Sequence, residues 1–134
     1  MDEASKIVRW YGGIDPTDPV NLLSLMKAKV RLMDISQEMS MRVCKHSQEY
    51  FTNNTERKIN IKRLTVSNIS EGIGKAEAIA ESESAELRRA ESLSEGNYRG
   101  GKIVLDQTNL IIQSMIQDIS YLRKEYEYER NGRE

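Results

Sequence analysis

From Ile59 to Leu122, apolar and small residues return at alternating spacings of three and four. No other feature of the chain limits its fold as much. The first half of the stripe reads Ile59, Lys62, Val66, Ile69, Ile73, Ala76, Ala80, Glu83, Leu87, Ala90, Ser94. The second half restarts with Tyr98, Gly101, Leu105, Thr108, Ile112, Met115, Ile119, Leu122, Tyr126. A repeat of 3.5 residues keeps one face of a helix against a partner helix over many turns, so the sequence predicts a coiled coil or a bundle of long helices. Lys58-Ile59-Asn60-Ile61-Lys62 alternates like a strand, but the 3.5 repeat outlasts any strand and favours helix.

Composition agrees with that class. Hydrophobic residues make up 38% of the chain and charged residues 31%, with a single Trp and a single Phe. Such a chain suits long helices better than a large globular core. The formal net charge of −1 gives no overall attraction to nucleic acid or acidic lipid. One cysteine, Cys44, allows neither an internal disulfide nor a cysteine-based zinc site. The start Met1-Asp2-Glu3 has no basic, apolar leader pattern, and no apolar run reaches the roughly 18 residues of a membrane span. The expectation is a cytoplasmic protein without membrane contact.

Residues 1–17 read as a short irregular arm, because Gly12-Gly13 and two Asp-Pro steps punctuate them. Trp10 and Tyr11 on this arm either staple back onto the helices or anchor a partner. Residues 18–134 read as the long-helix domain. Its first helix starts at Asp18, an N-cap residue, with Pro19 at the first helical position. Leu22, Leu25, Lys29, Leu32, Ser36, Met39, Val43, His46 and Tyr50 form its stripe. Thr52-Asn53-Asn54-Thr55 interrupts the pattern, so this helix is expected to end near 51–53 and a second to follow. Between Ala76 and Ala90 the stripe is mostly alanine, a thin seam that needs more than one covering neighbour.

Ser94-Glu95-Gly96-Asn97-Tyr98-Arg99-Gly100-Gly101 carries three glycines, each costing about 1 kcal/mol inside a helix relative to alanine. The stripe steps by four from Ser94 to Tyr98, which a stutter in one continuous helix would also give. The glycines favour a break or sharp kink. A last helix from about Lys102 to Arg130 then carries the strongest seam, Leu105, Ile112, Met115, Ile119 and Leu122, which is expected to hold an oligomer together.

Most catalytic chemistries find no support. Gly96 to Lys102 matches the first seven positions of the phosphate-binding loop G-x-x-x-x-G-K. Ile103 stands where Ser or Thr should follow, however, and no buried strand precedes it. Gly72-Ile73-Gly74-Lys75 is weaker still and marks a flexible point. His46 and Cys44, two residues apart on a helix, point to different faces. Glu77, Glu81 and Glu91 would need a walled cleft for glycoside chemistry. No catalytic residue, metal site or cofactor is expected, and the chain reads as a non-enzyme.

Two partner readings remain. In the first, the chain self-associates through its stripes and presents the aromatic arm and charged patches to another protein. In the second, it binds nucleic acid or a small phosphorylated ligand. Arg57, Lys58, Lys62 and Arg63 would hold the anion, with Tyr98, Arg99 and Lys102 at the Gly-rich bend. Glu/Ala/Arg-rich helices carrying Tyr98-Arg99-Gly100-Gly101-Lys102 and ending in Ser120-Tyr121-Leu122-Arg123-Lys124-Glu125-Tyr126-Glu127 resemble small helical accessory proteins of bacteriophages over residues 75–128. The likeness is one of general character and transfers no functional residue.

Overall fold

A computed structural model describes residues 2–132; the last two residues of the expected helical domain lie outside the described residues. The described chain is all-helical, with no strand. Its α-helices are α1 (Glu3–Gly13), α2 (Leu22–Ser67), α3 (Ile73–Glu83) and α4 (Ala85–Gly132). Short 3₁₀ turns at Pro19–Asn21 and Ile69–Glu71 lead into α2 and out of it. No helix among the described residues is long and apolar enough to cross a membrane. Two compact units divide the chain: one of residues up to Ser40 together with those from Ile103 onward, the other Met41–Lys102.

The arm expected to be irregular is largely helix. Asp2 caps α1, its carboxylate accepting from the Ser5 N–H at 2.7 Å. Gly12 and Gly13 punctuate only the end of the segment, and Ile14 leaves it extended. Ala4, Ile7 and Tyr11, spaced three and four apart, face the core, so α1 is a packing element. In this first unit Leu25, Ile119 and Leu122 bury together, with Trp10, Tyr11, Ile14, Leu22 and Met26 against them. One level along, Leu32, Ile112 and Met115 close a second cluster with Ala4, Ile7 and Tyr11. The Glu3 carboxylate receives both the Nε and an Nη of Arg31, at 2.5 and 2.6 Å, tying α1 to α2 from outside.

Asp18 caps the turn before α2 as expected, accepting from the Val20 N–H at 3.0 Å, with Pro19 at its start. The interruption expected near 51–53 does not occur, because Asn53 and Asn54 point into the second unit and are bonded there. The chain reverses instead at 68–72. Gly72 takes φ +97, a left-handed conformation that only glycine adopts without strain. Below that reversal, α2 runs antiparallel to α3 and the start of α4.

Nor does α4 break at its glycines. Its inward residues, Leu87, Glu91, Ser94, Tyr98, Gly101, Leu105, Thr108, Ile112, Met115, Ile119 and Leu122, hold the alternation of three and four without a slip. The apparent stutter arises from counting Glu83 and Ala90 into the stripe, when Ser84 and Glu91 occupy it. At Gly101 a Cβ would come within 3.2 Å of Val43 Cγ2, a tight contact, so the two helices approach closely here. Gly100 faces open space.

Opposite outcomes are therefore expected at two glycines. Gly100→Ala should raise the stability to urea by about 0.5–1 kcal/mol, through helix propensity alone. Gly72→Ala should lower it by about 1 kcal/mol or more, because its φ is positive. Equal effects of the two would contradict the assignment of the turn to 68–72.

Candidate functional site

The second unit is polar where two packed helices are normally apolar. The stripe of α2 passes from Val43 and Tyr50 to Asn53, Arg57, Asn60 and Leu64, still at steps of three and four. Across from it stand Ser84, Glu91, Ser94 and Tyr98. Asn53 Nδ2 donates to Ser94 Oγ at 3.1 Å, and Asn60 Nδ2 to Ser84 Oγ at 3.0 Å. Between these rungs Arg57 forms an ion pair with Glu91, whose carboxylate also accepts from Asn54 Nδ2 at 3.0 Å. The pair is well covered, with side-chain exposures of 20% for Arg57 and 12% for Glu91. Their hydrogen bond, and then that from Asn54, holds the Glu91 carboxyl below its ordinary range, while the same contact raises Arg57. Three bonded rungs fix the register of α2 against the opposing helix, since a shift by one residue would strand every one of them.

Apolar burial is correspondingly small here. Among the described residues of this unit, only the alanines Ala76 and Ala80 are fully buried hydrophobics. Met41, Phe51, Ile59, Val66, Ile69, Ile73 and Leu93 stay exposed. Ile59, Lys62 and Val66, expected to be the inward stripe, instead form an outward one, with Ile59 61% and Val66 67% exposed. Beside it lies an open groove of about 660 Å³ between α2 and α3. Ile61, Thr65 and Val66 form one wall, Gly74 and Ala78 the other, with Lys62, Glu77 and Glu81 on its rims.

The residues singled out in the sequence divide as follows. Trp10 and Tyr11 pack on their own chain's core; the Tyr11 hydroxyl donates to Asp118 and lies 2.7 Å from Ser114 Oγ. Burial, then the Asp118 carboxylate, raises the Tyr11 phenol. Ile112, Met115, Ile119 and Leu122 are buried within the chain, and Leu105 is half-buried on the same stripe; residues of α1 and α2 pack against this seam.

Of the basic residues, Arg57 is engaged by Glu91, Arg63 donates to Asn60 Oδ1 at 2.8 Å, and Arg99 pairs with Glu95 at 2.8 Å. Tyr98 stacks on Tyr50, their ring centroids 6.3 Å apart, leaving one aromatic face occupied. Tyr98 sits opposite Tyr50 and Glu91 opposite Arg57, so the two basic groups stand at different levels, about 10 Å apart along α2. Residues 96–102 are helical and form no phosphate-cradling loop. The His46 ring lies 3.4 Å from Glu49 on the same helix, and Cys44 is exposed. The outward apolar stripe escaped sequence reasoning only in its direction; its residues were legible, its facing was not.

Comparison of the chain with protein-family models, with curated proteins and with solved structures gives no match.

The lowered Glu91 carboxyl sets a pH dependence. Its ionised form contributes stability above its ordinary pKa near 4.5, and this is lost as pH falls through the depressed folded value. At neutral pH, Glu91→Gln is expected to cost about 1 kcal/mol in urea unfolding. The gap between variant and wild type should narrow in acid. A gap that stays constant from pH 7 to pH 3 would show that the ion pair adds nothing to the unit.

Proposed function

We propose that this protein works through helix–helix contacts, as a self-associating interaction or structural protein of the coiled-coil kind, and not through catalysis. One observation carries the reading. In the second unit the inner seam is polar while Ile59, Val66, Ile69 and Ile73 face outward. A hairpin whose only fully buried apolar side chains are two alanines, with Ile61, Leu64, Ile79 and Leu87 half-buried and Ile59, Ile69 and Ile73 exposed, is poorly stabilised alone, since two packed helices draw most of their stability from apolar burial. Covering those side chains is the natural completion, and exposed apolar surface of this kind marks interaction sites.

The reading changes the part given to Trp10 and Tyr11. With both rings on the core of the first unit, they hold α1 in place, and the surface offered to a partner is the second unit. Binding to nucleic acid or a phosphorylated ligand is the weaker reading, because Arg57, Arg63 and Arg99 already have bonded partners. Like the accessory proteins its helices resemble, such a chain would act inside the cell as a component of an assembly.

Light scattering at micromolar concentration is expected to give a mass that is an integral multiple of the chain, with helical content rising as the assembly forms. A monomer of unchanged helicity at every concentration would overturn self-association.

A further inference from the structure

Resting on that reading, we infer that the groove between α2 and α3 is the self-association site and that its occupant is the same groove of a second copy, related by a twofold axis along the groove. The floor is apolar and shallow. Ile61 and Val66 project from one wall, while Gly74 and Ala78 leave the other low, and a Cβ at Gly74 would meet nothing within 4 Å. Small residues at i and i+4 let an opposing helix approach closely.

Charge chooses the occupant. Lys62 stands on the α2 rim and Glu77 on the α3 rim of the same groove. Among the described residues neither has an ion-pair partner, whereas Glu81, also on the rim, is taken by Arg88. A twofold axis parallel to the helices sets the α2 wall of one copy against the α3 wall of the other at the same height. Lys62 of each copy then meets Glu77 of the other, so one rim supplies two pairs by symmetry. Every neighbouring helix in this arrangement also runs antiparallel, which suits the helix dipoles. The product is a four-helix assembly in which Ile61 and Val66 lie in the seam between copies and Ile59, on the same stripe as Lys62 and Val66, borders it.

Charge reversal tests this without disturbing the fold, because both residues are exposed and lie outside the bonded rungs. Lys62→Glu and Glu77→Lys alone should each weaken self-association roughly tenfold or more, by setting like charges together twice. An equimolar mixture of the two variants should recover it as a mixed dimer, and the double variant Lys62→Glu/Glu77→Lys as a homodimer. Ala78→Arg should abolish association while circular dichroism shows the helices retained. If wild type associates and none of these variants alters it, the groove is wrong while self-association stands. A wild type that stays monomeric overturns both and leaves the groove to a different protein.

Discussion

In both units, the side chains that α2 turns inward at steps of three and four are what hold the helices together. What they are made of differs between the units. From Leu25 to Leu32, opposed by Ile112 to Leu122 and closed by α1, the stripe buries leucine, isoleucine and methionine. Each such side chain contributes about 1.5–3 kcal/mol when fully buried, so this unit carries a core of ordinary kind. In the second unit the same stripe presents Asn53, Arg57 and Asn60 to Ser94, Glu91 and Ser84. Hydrogen bonds of that type contribute about 1 kcal/mol each after exchange with water, yet they fix register strictly.

Specificity of register and strength of packing are thus separated along one pair of helices. The polar rungs hold α2 in one alignment with the opposing chain, and the alanines at 76 and 80 let it approach closely. Neither supplies much apolar burial. Ile59, Ile69 and Ile73, which could add to it, lie instead on the outer surface. With the register held by polar contacts, the outer face is free to be apolar without competing for the inner seam.

Much of this was legible in the sequence, and the failures share a cause. The stripe from Leu22 to Tyr50 and the Asp18 cap are found where expected, because most of the stripe is apolar and the Asp-Pro pair is a helix-start signal. Past Tyr50 the pattern continues through Asn53, Arg57 and Asn60, which an apolar count reads as an interruption. Ile59, Lys62 and Val66 then offer a false stripe of correct period on the opposite side. The same substitution of Glu83 and Ala90 for Ser84 and Glu91 created a stutter that α4 does not contain. Glycine propensity misled at Gly100 and Gly101, where the Tyr98–Tyr50 stack and the approach of Gly101 to Val43 keep α4 against α2, and the Gly12-Gly13 pair concealed a capped α1. Period survives in sequence; facing does not, once the seam turns polar.

On the function proposed, the second unit completes its burial through another copy, whereas the core of the first is already covered by α1 and α2. Amide hydrogen exchange at two protein concentrations roughly a hundredfold apart tests it most directly. Protection of amides within Met41–Lys102 should rise with concentration, while that of Leu25, Leu32 and Met115 stays constant. Equal protection of both units at both concentrations would contradict the account.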